Sequence, residues 1–238
     1  MRHEVLPLIE SRWPGYRSGF ARSATLSGEL ATSKLIHDQT EYTRHGGPYL
    51  PIDTNDPKSL HRALYGWLKE LNAPLPEFVA LEEFARQCMQ AQGDKLPELK
   101  VGGYLLQRWR QGIHLYPVDI DRDFDISGKV GGALSGTWGS VAWHEADMGL
   151  PMDIPIRVRA PRPGEAVSIE RRPRRSVGQW LQDAGVPPYL RGCYPLLQAG
   201  DEIIAIPDVG LVSDCSNLSL CKGGLVPVWV PPKIAFRN

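Results

Sequence analysis

The sequence after residue 175 predicts a short helix, with a capping motif at its start and helix-ending residues at its end. No other feature of the sequence constrains the fold as strongly. Ser176 with Gln179 three positions later fits a capping box, in which each side chain bonds the other residue's backbone N–H. Apolar residues then recur at helical spacing, which predicts one buried face. These residues are Val177, Trp180, Leu181 and Ala184. Gly185 and the two prolines that follow predict the end of the helix.

A β-hairpin is predicted directly after this helix. The apolar runs at 194–198 and 202–206 flank the turn-forming residues "AGD", so we expect the two runs to pair with each other. Strand-like sequence also occurs at 154–160 and 166–170. A helix among such strands indicates an α+β fold, with a C-terminal domain of mixed sheet and helix over residues 155–238. The arrangement of the glycine-rich, acidic residues 119–150 does not follow from the sequence.

Arginines crowd the start of the predicted helix. Arg171, Arg172, Arg174 and Arg175 directly precede the cap, where the helix dipole disfavours a cation by about 0.3–1 kcal/mol. They become favourable if an anion binds there, because helix N–H groups and guanidinium groups both bind phosphate. The alternative is a solvated basic surface loop. The residues alone leave both interpretations open.

Residues 56–118 form a second predicted α+β unit, preceded by a helical segment at 1–39 and a connection at 40–55. Asp56 as N-cap and Pro57 at the first helical position begin a helix, and a second helix follows "APLP". The predicted buried faces of these two helices are formed by Leu60, Leu64, Trp67, Leu68 and Leu71, and by Leu81, Phe84, Ala85 and Cys88. After them, residues 100–117 predict a hairpin with its turn at Gln111–Gly112.

Charge is balanced overall but segregated along the chain. Lys plus Arg and Asp plus Glu each number 27 in 238 residues, so the composition gives no global sign of nucleic-acid binding. Acidic residues dominate 119–153, whereas arginines dominate 157–191. Such segregation suggests a charged binding face in the C-terminal third of the chain.

Motifs for common catalytic and metal sites are incomplete. The run "HEADM" has Met148 where a zinc-protease helix needs its second His, and "DIDRDFD" lacks the turn glycine of a calcium loop. A complete phosphate loop and a G-x-S-x-G motif are also missing from the sequence. The four cysteines are scattered, and neither a secretory leader nor a membrane-spanning apolar run is found. We therefore predict a cytoplasmic chain that contacts no membrane and has no metal or cofactor site of its own.

Several stretches resemble bacterial tRNA(Ile)-lysidine synthetases. The stretch "RRSVGQWLQDAGVPPYLRGCYPLLQAGDEIIAIPDVGL" is similar to the C-terminal domain of that family, including its pattern G-x-P-x-W/Y-x-R-x-x-x-P-L-L. "IPIRVRAPRPGEAV" resembles the entry to that domain. "SLHRALYGWLKELNAPLP" and "YLLQRWRQGIHLYP" resemble a helix and a hairpin of the substrate-recognition domain. "RHEVLPLIESRWPG" resembles the segment that follows the catalytic domain.

The resemblance implies tRNA binding rather than chemistry. In this family, a PP-loop domain with an S-G-G-x-D-S motif uses ATP and magnesium to attach lysine to the wobble cytidine of CAU-anticodon tRNA(Ile). That motif does not occur in this sequence, and Met1 falls after its expected position, so we expect a fragment or a stand-alone tRNA-binding module. We expect it to be inactive alone and to pair with the catalytic domain in trans. The alternative is a protein-interaction module, since the C-terminal domain also resembles part of the phenylalanyl-tRNA synthetase β chain.

The candidate tRNA contacts are basic residues of both predicted domains. By resemblance, the middle domain would lie near the anticodon arm and the C-terminal domain would clamp the acceptor stem. The candidates are Arg62, Lys69, Arg108 and Arg110 in the former, and Arg157, Arg159, Arg171, Arg172, Arg174, Arg175 and Arg191 in the latter. We also expect exposed apolar side chains where the catalytic domain would pack. These are Leu6, Leu8, Ile9 and Trp13.

Overall fold

A computed structural model describes residues 5–21, 23–24, 41–45, 47–92, 95–170, 172–213, 215 and 219–232. These residues fall into two units. The first contains the described residues up to Glu41 together with Pro48–Leu115, and the second contains Tyr42–Gly47 and the described residues from Tyr116 onward. Both units combine helices with antiparallel strands, so the predicted α+β class is confirmed. Within the described ranges, no helix is long and apolar enough to cross a lipid bilayer.

The first unit shares one apolar core between two helices and a sheet. Its helices are α1 (Val5–Arg12), α2 (Pro57–Glu70) and α3 (Phe78–Gln90). Its strands are β1 (Glu41–Tyr42), β2 (Pro48–Pro51), β3 (Glu98–Val101), β4 (Tyr104–Trp109) and β5 (Gly112–Pro117). The strand order is β1-β2-β5-β4-β3. The core lies between α2, α3 and this sheet, because side chains from all three are buried together.

The sequence signals for α2 and α3 are confirmed. The Asp56 carboxylate accepts hydrogen bonds from the N–H groups of Lys58 at 3.3 Å and Ser59 at 2.9 Å, and so caps α2. All predicted core positions of the two helices are buried, except that Leu71 is only partly covered. Helical periodicity therefore located both buried faces.

The α1 region carries exposed apolar side chains, as predicted. Leu8 is 69% exposed and Trp13 is 63% exposed, while Ile9 is partly exposed. The side chain of Leu6 lies outside the described residues. Where such side chains form a contiguous patch, they mark a surface that another chain or domain covers.

The hairpin of β4 and β5 turns one residue earlier than predicted. Its turn residues are Arg110 and Gln111, and Gly112 is the first residue of β5. Arg110 adopts a left-handed backbone with φ of 54°. Gly112 is required for another reason, because a Cβ there would lie 1.7 Å from the ring of Tyr49. The prediction was wrong because it assigned the glycine to the turn, whereas an aromatic ring of a neighbouring strand requires it.

Strands dominate the second unit. They are β6 (Asp125–Lys129), β7 (Leu134–Gly136), β8 (Gly139–Gly149), β9 (Pro155–Arg159), β10 (Ala166–Val167), β11 (Arg175–Ser176), β12 (Leu196–Ala199), β13 (Glu202–Ile206), β14 (Gly210–Leu211) and β15 (Cys221–Val230). Its helices are α4 (Val177–Asp183) and α5 (Pro188–Arg191). One sheet has the order β14-β13-β12-β9-β6, another has the order β15-β8-β7, and β10 pairs with β11.

The predicted capped helix and the hairpin after it are both confirmed. Ser176 Oγ accepts the Gln179 N–H, and Gln179 Oε1 accepts the Ser176 N–H, each at 3.2 Å. Strand β12 pairs with β13, with a bulge between Leu197 and Gln198. Tyr194 lies before the strand and donates its hydroxyl to the Pro207 carbonyl at 2.9 Å. The helix and the hairpin thus follow from signals that lie within a few residues of each other.

A long ribbon of β8 and β15 is built from segments whose arrangement the sequence left open. The two strands pair from Gly149 with Cys221 to Ser140 with Val230. The ribbon curls at one end, because Leu150 also pairs with Leu225. There the backbones of Gly149 and Gly224 touch, and a Cβ on either glycine would lie within 2.5 Å of the other's backbone. Only glycine allows this close approach.

His45 is a buried titratable group of the second unit. It is 6% exposed, and its ring centroid lies 6.5 Å from that of Tyr194 and 6.1 Å from that of Trp229. Burial, helped by the charge of Arg44 and opposed by that of Asp208, lowers the pKa of His45 from 6.5 to about 4. The neutral ring is therefore the form that the folded unit prefers.

We expect acid to destabilise the second unit through His45. As pH falls from about 6.5 to about 4, the unfolded chain protonates this histidine while the folded chain keeps it neutral. The free energy of unfolding should fall by up to about 3 kcal/mol across this range. Urea unfolding at pH 7 and pH 4.5 measures the loss. His45→Phe keeps an aromatic ring without a titrating group, so an equally large loss in that variant would contradict the assignment.

Candidate nucleic-acid interface

Arg172 and Arg175 converge on one indole ring at the start of α4. Their guanidinium carbons lie 4.6 Å and 5.2 Å from the ring centroid of Trp180. Trp180 is 2% exposed, and its indole N–H donates to the Val167 carbonyl at 2.9 Å. Attraction between each cation and the ring offsets the repulsion between the two like charges. The second unit thereby holds two cationic side chains over the Trp180 ring, which is itself fixed in place by burial and a hydrogen bond.

Each of these arginines also has a carboxylate partner. Arg172 Nη2 lies 3.2 Å from a Glu170 carboxylate oxygen, and Arg175 Nη1 lies 2.5 Å from an Asp183 carboxylate oxygen. The side chains of both pairs are well exposed, and such pairs contribute only about 0–1 kcal/mol. A phosphate group can therefore replace either carboxylate at little cost. The ring and the two acids explain how cations are tolerated directly before a helix cap.

Three backbone N–H groups at the start of α4 form hydrogen bonds within the chain. Those of Ser176 and Gln179 belong to the capping box, and that of Val177 donates to the Glu165 carbonyl at 2.9 Å. Most of the N–H groups that the predicted phosphate site would use are therefore already bonded within the chain. The sequence could not show that residue 165 supplies a carbonyl to this helix. Anion binding here would depend on the arginine side chains.

Arg159 belongs to the interior of the second unit. It is 4% exposed, and its guanidinium group donates to the Glu165 carboxylate, the Gln198 side-chain oxygen and the Ala160 carbonyl. A tRNA phosphate could reach it only if this network opened. The prediction that Arg159 contacts tRNA is therefore wrong, because the pattern of β9 gives no sign that Glu165 returns onto it.

The other predicted tRNA-contacting arginines of the second unit each have different neighbours. Arg157 is exposed and pairs with Asp125 of the neighbouring strand. Arg174 is exposed and lines a cleft of about 320 Å³ whose other walls include three acidic residues. Arg191 is partly exposed and donates its Nε to a backbone carbonyl at 2.9 Å. Arg171 lies outside the described residues.

The predicted cations of the first unit lie on α2 and on the β4–β5 hairpin. Arg62 is partly exposed and Lys69 is exposed, both on α2. Arg108 Nη1 donates to the carbonyl of Ala91, directly after α3, at 2.8 Å. Arg108 lies in β4, whereas Arg110 lies in the turn that follows this strand. Among the residues described, no group of His, Cys, Asp and Glu side chains suits a metal ion.

Sequence reasoning missed the aromatic supports of these arginines. Trp180 was correctly assigned to a buried helix face, but its contact with Arg172 and Arg175 was not foreseen. Pairing of β11 with β10 shapes the chain just before the helix, and helical periodicity carries no information about that pairing. For the first unit, the adjacency of Trp109 and Arg110 in the sequence was a signal that an aromatic ring could support an arginine.

Two family models match this chain, one in each unit. The model described as TilS substrate binding domain matches residues 51–114, which include α2, α3 and the β4–β5 turn. The model described as TilS substrate C-terminal domain matches residues 156–225, which include the arginine cluster, α4 and the β12–β13 hairpin. Both matches agree with the resemblances found in the sequence.

Proteins named tRNA(Ile)-lysidine synthase align with nearly the whole chain. The protein from Chromobacterium violaceum is 32% identical over 98% of this chain and 55% of its own length. The proteins from Shigella flexneri and Idiomarina loihiensis are 29% and 24% identical, over 96% and 90% of this chain and 55% and 48% of their own lengths. The chain thus spans about half the length of the curated relatives it matches. Through the two matched domains, the chain belongs to the tRNA(Ile)-lysidine synthase family.

Proposed function

We propose that this chain binds tRNA(Ile) as the substrate-recognition portion of a tRNA(Ile)-lysidine synthase. The observation that carries the proposal is the match of both units to family models described as substrate domains. The arginines held on Trp180 support it, since they offer two adjacent guanidinium groups to a phosphate backbone. Phosphate contacts carry no base information. Selection of the CAU-anticodon tRNA is therefore assigned mainly to the first unit.

We propose further that attachment of lysine requires a PP-loop domain, either in trans or in a longer form of the protein. ATP and magnesium would be bound by that domain, since the S-G-G-x-D-S motif does not occur in this sequence. The exposed Leu8 and Trp13 support a docking surface for it near α1. Binding to tRNA would then need no cofactor, and the proposal implies a cytoplasmic location.

Salt-dependent binding tests the proposed function. The full chain should bind tRNA(Ile) more weakly as the potassium chloride concentration rises. The logarithm of the association constant K should fall by about 0.7–0.9 per phosphate contact for each tenfold rise in salt. The same preparation with lysine and ATP should release pyrophosphate only at background. A chain that binds no tRNA at low salt would favour the alternative, a protein-interaction module related to a phenylalanyl-tRNA synthetase β-chain domain. Pyrophosphate release above background would contradict the assignment of catalysis to another domain.

Removing the carboxylates that pair with the two arginines should strengthen tRNA binding. Glu170→Gln with Asp183→Asn keeps the size of both side chains but removes the charges that compete with phosphate. Since each exposed pair is worth up to about 1 kcal/mol, we expect tRNA affinity at low salt to rise by about 3–10-fold.

Glu83→Gln provides the control for this pair of substitutions. Glu83 forms an exposed ion pair with Arg86 at 2.5 Å on α3, so its replacement also removes one surface charge. Its effect on tRNA affinity should stay below twofold, or about 0.4 kcal/mol. Equal gains in the control and in the double variant would show a general charge effect and would argue against a phosphate site on Trp180.

A further inference from the structure

We propose that Trp109 and Arg110, at the β4–β5 turn of the first unit, bind an unpaired nucleobase by stacking. This inference rests on the proposed function, and it adds which feature of the RNA the first unit recognises. The feature is a base that is free of a helical stack, rather than the phosphate backbone. Three independent observations on the turn lead to it.

The first observation is the environment of the Arg110 charge. Its guanidinium carbon lies 4.4 Å from the ring centroid of Trp109, within the range of a cation–π contact. Arg110 is exposed, and in the part of the chain that the structure describes it forms no ion pair, in contrast to Arg172 and Arg175. Its charge is thus held by an aromatic ring alone. Arginine guanidinium planes and aromatic rings are the surfaces on which proteins stack splayed RNA bases.

The second observation is the backbone of Arg110. Its φ of 54° lies in the left-handed region, where glycine and asparagine are preferred in two-residue hairpin turns. A long side chain there strains the backbone relative to glycine. Within the turn, the contact with Trp109 is what arginine gains over glycine, and we attribute the residue to what its exposed guanidinium group binds. Strained backbone of this kind is concentrated at binding sites.

The third observation is the aromatic packing beneath the turn. The ring of Tyr49 covers Gly112 so closely that a Cβ would lie 1.7 Å from it. His114 is buried, with its ring centroid 5.0 Å from that of Tyr49 and 5.6 Å from that of Trp109. This row of rings fixes the indole before any RNA arrives. A preformed stacking surface loses little side-chain freedom on binding, which favours affinity.

A lysine in place of Arg110 distinguishes base stacking from a simple phosphate contact. Arg110→Lys keeps the positive charge but removes the planar guanidinium group, so it retains a phosphate contact and loses a stacking surface. Arg86→Lys is the matched control, because Arg86 is exposed on α3 in the same unit and is paired with Glu83. Both substitutions are made in the full chain.

The test compares binding of two RNAs of equal length, a stem closed by an unpaired loop and a blunt duplex. We expect Arg110→Lys to weaken binding of the stem-loop by about tenfold and that of the duplex by less than about twofold. Arg86→Lys should change neither. Equal weakening of both RNAs, or no weakening of either, would overturn the stacking site and leave the proposed function intact. If the unaltered chain bound neither these RNAs nor tRNA(Ile), the proposed function would fail as well.

Arg110→Gly separates a binding role from a structural one. Glycine adopts the observed φ without strain, so the midpoint of thermal unfolding should rise by about 1–3 °C. Binding of the stem-loop should nevertheless fall by at least as much as in Arg110→Lys. A lower unfolding midpoint with unchanged RNA binding would show that Arg110 serves the fold, and it would overturn the proposal.

Discussion

Replacing Arg171, Arg172, Arg174 and Arg175 together with glutamine is expected to weaken tRNA binding by up to about 10³-fold at about 0.1 M salt. Every phosphate that the variant no longer neutralises should flatten the slope of log K against log salt by about 0.7–0.9. Cognate and non-cognate tRNA should be affected alike, because phosphate contacts read no bases. Filter binding or fluorescence anisotropy over a salt series measures both quantities.

The fold should survive this replacement, since the described members of the cluster lie at the surface or partly exposed. Arg17→Gln with Arg86→Gln is the control, because both residues form exposed ion pairs in the first unit. The control should change tRNA affinity by less than about threefold. A folded quadruple variant with unchanged affinity and salt slope would mean that the cluster is only a solvated basic loop.

Glu165→Gln is expected to lower the free energy of unfolding by about 3 kcal/mol. It leaves the Arg159 guanidinium buried without its carboxylate, and an uncompensated buried charge is strongly destabilising. Urea unfolding at neutral pH measures the effect. The double variant Arg159→Met, Glu165→Leu removes both charges and should recover most of the loss.

An exposed pair on the same sheet gives the comparison for this effect. Asp125→Asn breaks the pair with Arg157, whose side chain is about half exposed, and should cost less than about 1 kcal/mol. If Glu165→Gln cost no more than Asp125→Asn, the Arg159 network would not stabilise the interior of the second unit. Arg159 would then be available for contact with tRNA.

Structure that depends on nearby residues could be predicted from the sequence. Asp56 caps α2, Ser176 caps α4, and the apolar faces of both helices are buried. Caps and helical spacing act within a few residues, so a short window contains the whole signal. The β12–β13 hairpin followed for the same reason.

Structure that depends on distant residues could not be predicted. The pairing of β8 with β15 joins segments about seventy residues apart, and neither segment carries a mark of its partner. The burial of Arg159 has the same origin, since the side chain of Gln198 reaches it from another strand. Strand alternation puts Arg157 and Arg159 on the same face of β9, but it does not distinguish the exposed side chain from the buried one.

The sequence predicted which residues form the candidate interface, but not which groups they contact. The sequence located the arginine cluster, but it proposed helix N–H groups as the partners of an anion. In the structure, the arginine side chains are the groups left to bind an anion, and the Trp180 ring lies beneath Arg172 and Arg175. A charge pattern along the chain reports where cations are concentrated, whereas the ring that orders them becomes visible only after folding.

The ribbon of β8 and β15 also has a consequence for how the protein is made. A ribosome completes β8 about seventy residues before it reaches β15, so β8 emerges with one edge unpaired. Pairings this distant in sequence form slowly, and an open strand edge can pair with another chain in the meantime. We therefore expect the second unit to complete its fold only after synthesis of β15, and chaperones to act on nascent chains in that interval.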